Sequence, residues 1–382
     1  MANPFLKRLE RAWKAAWLRG LARLLPRGAG ALPDWSARPH RVLYLRYDRI
    51  GDMILATPLI RAIARSHPRM TVDVLASAGN ASILEGNGDV GSVVLFNRKS
   101  LTSSLRAWRA LRRARYDAIV DDHAAVSTPS LTRVLLMLAS GVRHRIGVAG
   151  LANEFIYTHA VPPPPPGHQV QMASVVASAF GVTPVWSEWR MRLYPTGEER
   201  AFATARWREA AERCEVAGRR LLVNVSSHDP RRRWTDERLI EAIRRIRAHD
   251  PRLVVLVVGT LHDSASVMAI AATSGAAGLE RSSLRQLLSL VEAADMVLTP
   301  DTSVTHVASA FEVPAVVLIS RTNAPMFGPW RVPHRLVWSD GGTLRGIPVD
   351  EVVAAATDLL EGIPERAARV RSSEVSPSGG GA

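Results

Sequence analysis

The sequence predicts an α/β protein built from two doubly wound domains, and three observations carry that prediction. Short apolar runs of strand character alternate with stretches of helical periodicity from residue 41 to residue 360. A chain of 382 residues exceeds the size at which one hydrophobic core usually stops growing. The alternation also breaks over 185–195, which separates two similar halves. Strands joined through helices imply parallel sheets covered on both faces. The expected organisation is a basic amphipathic extension over 1–40, an N-terminal domain over 41–184, a C-terminal domain over 185–364 and a disordered polar tail over 365–382.

In order along the chain, 41–47 (RVLYLRY) is a buried strand, 52–66 a helix and 71–77 the next strand, which makes a βαβ unit. Strand 92–96, an Arg-rich helix over 101–115 and strand 117–121 continue the pattern. Five successive prolines, Pro162 to Pro166, fit neither a helix nor a central strand and form a rigid extended connector. A helix over 168–180 follows. The second half gives strand 221–227, helix 235–249, strand 253–259, a helix from near Asp263 and a helix over 283–293. Strand 296–300, a short helix from Ser303, strand 315–320 and a last helix over 348–360 complete it.

Composition narrows the partners. With 47% hydrophobic and 22% charged residues, the chain is neither disordered nor embedded in a bilayer. Its single cysteine, Cys214, rules out an internal disulfide and a cysteine-based zinc site, which fits a reducing, cytoplasmic compartment. A net charge of +14 asks for a polyanion: nucleic acid, anionic lipid or a phosphorylated small molecule. No zinc-finger, helix-turn-helix or RNP pattern supports nucleic acid. Residues 1–26 place Phe5, Leu9, Trp13, Trp17 and Leu24 on one helical face, with Lys7, Arg8, Arg11 and Lys14 opposite. No apolar run there is long enough to span a bilayer, so the pattern reads as a helix lying on an anionic membrane surface. The same pattern also suits a basic helix packed on the protein's own core.

Open α/β sheets bind ligands beyond the carboxyl ends of their strands, so the loops after strands are where chemistry is expected. The first such loop, 47–58 (YDRIGDMILATP), has Gly51 for a tight strand-to-helix turn and Asp52 opening the helix, as a cap or as a reactive carboxylate. The second, 224–234 (NVSSHDPRRRW), delivers Arg231, Arg232 and Arg233 just before a helix, either as a diphosphate clamp or as a solvated charged face. The third, 299–310 (TPDTSVTHVASA), offers Asp301, Thr302 and Ser303 as caps whose backbone N–H groups form an anion site. His306 lies on the first turn of that helix, facing the cradle or simply packing. A P-loop is absent, which argues against ATP hydrolysis.

Together the three loops resemble glycosyltransferase family 9, the ADP-heptose:lipopolysaccharide heptosyltransferases, over roughly Arg41 to Leu360. Residues 50–58 match the family's Gly-Asp followed by apolar residues and Thr-Pro. Asp301, Thr302, Ser303, Val304, Thr305 and His306 match its Asp-Thr-Gly-x-x-His, with Ser303 in place of the Gly. Arg232 stands where the family usually has Lys two residues before Trp234. Asp121, Asp122 and His123 stand where it commonly has Asp-x-Gln.

The resemblance implies two Rossmann-like domains facing a cleft, the GT-B type, and inverting transfer of a sugar from a nucleotide sugar to a lipid-linked glycan. It implies Asp52 as general base. Arg232, Asp301, Thr302, Ser303 and His306 then hold the donor diphosphate, without a metal or a cofactor. Gly51, Asp121 and His123 become acceptor-side candidates, and the protein sits peripherally at the inner membrane. An epimerase or another nucleotide-sugar transferase on the same fold remains an alternative, as does a non-catalytic scaffold.

Overall fold

The computed structural model describes residues 13, 16–18, 20, 23–24, 30–122, 130–150 and 154–363. The chain divides into two compact units, Met1–Met191 and Arg192–Ala382. The expected tail over 365–382 lies outside the described residues, as does most of the N-terminal extension.

The first unit holds a six-stranded sheet of β1 (His40–Arg46), β2 (Met70–Ala76), β3 (Val93–Leu95), β4 (Ala118–Asp121), β5 (His144–Val148) and β6 (His159–Val161). The order is β3-β2-β1-β4-β5-β6, with every pairing parallel. Its helices are α1 (Ile50–Ser66), α2 (Leu101–Ala114), α3 (Leu131–Ser140) and α4 (Gln169–Ser174). Alternate residues of the strands, Leu43, Leu45, Leu75 and Ile119, bury against Ala107 and Leu111 of α2 and Val134 and Met137 of α3. Leu18 of the N-terminal segment joins that same cluster.

The second unit contains α5 (Gly197–Cys214), β7 (Arg220–Asn224), α6 (Asp236–His249), β8 (Val254–Val258), α7 (Ser264–Ser274), β9 (Ala277–Leu279) and α8 (Leu284–Glu292). After these come β10 (Met296–Pro300), α9 (Ser303–Ala310), β11 (Ala315–Ser320), α10 (Ala324–Phe327), β12 (His334–Ser339) and α11 (Val349–Glu361). Its sheet runs β9-β8-β7-β10-β11-β12, again wholly parallel. Counted from its own first strand, each sheet is wound 3-2-1-4-5-6, so the direction of winding reverses between β1 and β4 and again between β7 and β10.

One local device recurs in both units. The carboxylate of Asp117, just before β4, accepts a hydrogen bond from the backbone N–H of Arg41 at 2.8 Å. Asp295, just before β10, accepts from the N–H of Arg220 at 2.9 Å. Each staples the amino ends of the two central strands together.

Several elements differ from the sequence expectation. The helix expected over 168–180 is α4 followed by a 3₁₀ stretch, Val175–Phe180, closed by Gly181 at φ 71. Strands β5, β6, β9 and β12 and helices α3, α5 and α10 add to the expected set. β6 and β9 are only three residues long, too short to show a period. α5 starts at a capping box in which Thr196 and Glu199 satisfy each other's backbone N–H groups.

Of the N-terminal segment, Trp13, Ala16–Leu18 and Gly20 are helical. Leu18 is fully buried, whereas Trp13 and Trp17 are 71% and 50% exposed. Among the described residues of this segment, Leu18 is held in the core while the two tryptophans are open. Phe5, Leu9 and the expected basic face lie outside the described residues.

Candidate active site

The expected functional loops converge on the two places where winding reverses. In the first unit, the chain leaves β1 at Arg46 and enters α1 at Ile50. Arg49 is the extended N-cap, so Gly51 and Asp52 already lie inside the first helical turn. The turn expected at Gly51 is made instead at Arg49, and Gly51 keeps an ordinary negative φ. Asp52 sits in the first turn of α1 with its side chain half-buried, where a carboxylate suits the helix dipole.

Beneath that turn lies a charge network. Arg46, 3% exposed, donates to both carboxylate oxygens of Asp122 at 2.5 Å and to Asp48 at 3.4 Å. Burial opposes the Arg46 charge, but the carboxylates of Asp122, Asp48 and Asp52 hold its guanidinium protonated well above its ordinary range. Asp121 is fully buried and pairs with Arg133 at 3.0 Å while accepting from the Tyr157 hydroxyl at 2.9 Å. In that position it orients Arg133 rather than presenting a carboxylate to a ligand. Burial pushes the nearby Tyr47 hydroxyl up to about 12, so it stays protonated at neutral pH. His123 lies outside the described residues.

In the second unit, β10 ends at Pro300 and Thr302 caps α9, its hydroxyl accepting from the Val304 N–H at 3.4 Å. Ser303 is the first helical residue, and His306, 5% exposed, lies one turn along. Arg232, at the end of a 3₁₀ turn over Pro230–Arg232, reaches across from the loop after β7. It contacts the Asp301 carboxylate at 3.1 Å and the Asp301 carbonyl at 3.4 Å. Asp301 also accepts from the Asn323 amide at 3.0 Å. An anionic side chain cannot attract phosphate, so its contribution is to aim Arg232.

The three successive arginines do not act together. Arg231 turns outward to Asp229 at 2.8 Å, and Arg233 pairs with Asp263 at 2.6 Å. Burial raises the Asp263 pKa, but hydrogen bonds from Thr260 and Ser226 and the charge of Arg233 outweigh it and hold the carboxyl low. Only Arg232 of the three faces the loop after β10.

Sequence reasoning did not single out Asn224 and Thr299, which with Thr302 lock this arrangement. The Asn224 amide, at the end of β7, donates to the Thr299 hydroxyl at 3.0 Å and to the Thr302 hydroxyl at 3.2 Å. That bridge ties the two central strands at the point where the α9 N–H groups emerge. A polar residue ending an apolar strand was its one visible signal.

Two parallel sheets of identical winding, each with a polar cluster at its point of reversal, are the α/β fold of GT-B type. The chain belongs to glycosyltransferase family 9, the heptosyltransferase family, whose model matches residues 104–345. It is similar to lipopolysaccharide heptosyltransferase 3 of Escherichia coli, at 22% identity over 339 residues that span 81% of this chain and 96% of that protein. In structure it is similar to the family 9 glycosyl transferase of Veillonella parvula DSM 2008, with a TM-score of 0.72, 17% identity and coverage of 87% of this chain and 99% of that one. It is also similar to the E. coli heptosyltransferase WaaC with ADP, with a TM-score of 0.65, 17% identity and coverage of 85% and 99%.

Proposed function

We propose that this glycosyltransferase moves a heptose from ADP-heptose to a hydroxyl of a lipid-linked glycan of the lipopolysaccharide core type, with inversion at the anomeric carbon. The observation that carries the reading is the Arg232–Asp301–Thr302 arrangement at the α9 N-terminus, which puts a guanidinium beside helical N–H groups. Family membership and the ligands of solved neighbours support the donor: one E. coli heptosyltransferase structure holds ADP and another ADP-2-deoxy-2-fluoro heptose.

The proposed step balances simply. Asp52 takes the proton of the acceptor hydroxyl as its oxygen bonds to the anomeric carbon, and the bond to the diphosphate breaks. ADP leaves with the electron pair. Arg232, the Thr302 and Ser303 amides and His306 stabilise its growing negative charge. The acceptor binds in the N-terminal unit and the donor in the C-terminal unit. The protein works at the cytoplasmic side of an anionic membrane, where the open Trp13 and Trp17 meet lipid. Among the described residues no helix is long and apolar enough to cross a membrane.

The test pairs binding with turnover. ADP should raise the melting temperature and UDP should not, because a ligand bound only by the folded state stabilises it. The Asp52→Asn variant should keep that response and lose transfer by about 10²-fold or more. Near-normal turnover of Asp52→Asn, or a preference for UDP, would reject the assignment.

A further inference from the structure

Helix α2 carries a surface that the transfer chemistry does not use. Leu101, Leu105 and Trp108 recur at i, i+4 and i+7, and they are 90%, 42% and 42% exposed. At about 100° per residue they fall within about 60° of one another and about a quarter-turn from Ala107 and Leu111, which the core takes. Single exposed apolar residues are ordinary, but a stripe of three on one helix edge is not. Residues 98–115 contain seven basic residues and no acidic one. Arg98, Lys99, Arg106, Arg109, Arg112 and Arg113 are all exposed, and none forms an ion pair among the described residues.

We infer that the exposed edge of α2 is a membrane-docking surface that inserts Leu101, Leu105 and Trp108 at headgroup depth while its arginines contact anionic lipid phosphates. Charge complementarity selects this occupant: a cationic helix flanking an apolar stripe suits an anionic interface, where each basic residue adds to the attraction. Continuity selects it again. Leu18 packs in the same core cluster as Ala107 and Leu111, so the segment bearing the exposed Trp13 and Trp17 covers the same side of the sheet as α2. One face of the first unit thus presents two tryptophan-bearing helical segments. The proposal deepens the reading of a lipid-linked acceptor and rests on it, yet the two are measured separately.

The experiment uses the full chain with vesicles of pure phosphatidylcholine or of phosphatidylcholine and phosphatidylglycerol at about 2:1. The protein should sediment with the mixed vesicles and stay in solution with the neutral ones. The apolar pair Leu105→Ser/Trp108→Ser and the charge pair Arg106→Glu/Arg109→Glu should each reduce the bound fraction about tenfold or more, with the N-terminal segment intact. All four positions are exposed, so the ADP melting response should persist; its absence from every protein would reject the donor reading while leaving the vesicle result standing. Sedimentation of both variants equal to that of the parent overturns the proposal. So does binding to single-stranded RNA in place of vesicles.

Discussion

Arg46 and Arg232 are both guanidiniums held by carboxylates at the end of a central strand, but their surroundings give them different work. Arg46 is closed in, with one arm of its fork on both oxygens of Asp122 and the other on Asp48. Arg232 keeps 36% of its side chain exposed while Asp301 steadies it from one side, which leaves it able to meet a second anion. Arg232→Ala should therefore weaken ADP binding by about 10- to 100-fold, the worth of one charge-assisted hydrogen bond, as measured by titration calorimetry. Arg232→Lys should recover part of this, because a point charge replaces a planar fork. The places of Asp52, Thr302 and His306 at the starts of α1 and α9 were legible in the sequence because they fall in contiguous motifs. Arg46, Asn224 and Asn323 were not, because each acts through a partner 22 to 78 positions away. Asp121 was legible as a strand-end carboxylate, but nothing local foretold that Arg133 and Tyr157 enclose it.

At the scale of elements, strands buried on both faces announced themselves: 296–300 and 315–320 were read with the bounds that β10 and β11 have. The edge strands β6 and β9 were missed because each is only three residues long, and β6 with its neighbour β5 is the instructive pair. His144 Nδ1 lies 3.2 Å from His159 Nε2 with the rings stacked, a hydrogen bond that needs one nitrogen to give a proton and the other to accept. Burial comes first in lowering both pKa values below the ordinary 6.5, and for His144 the neighbouring His159 adds to it, with Arg145 acting on both. The unfolded chain therefore takes up protons that the folded chain refuses. The pair's contribution to stability is complete above the unfolded value and is lost as pH falls below it. Between pH 7 and about 5.5 the melting temperature should fall more steeply for the parent than for His159→Gln. Equal slopes would remove the pair as a source of acid sensitivity.

At the scale of the whole molecule, two doubly wound, Rossmann-like halves were foreseen, but the period of the elements did not supply their strand order, because order depends on pairings that no local period records. Each unit has its own core, so a donor held by the loops after β7 and β10 acts first on the second unit. Hydrogen exchange with ADP present should slow most in the amides of 299–306 and 224–234, with the strands of Met1–Met191 changing little. Strongest slowing in the first unit would contradict the assignment of the donor to the second.

The Asp117 and Asp295 staples have a practical corollary. They stiffen the rim of each sheet that lies away from the ligand loops, and the exposed Ala37 and Ala217 each stand three residues ahead of a stapled strand. A tether bonded at either position would grip the protein by its rigid floor and hold that unit's reactive edge outward, free of the support.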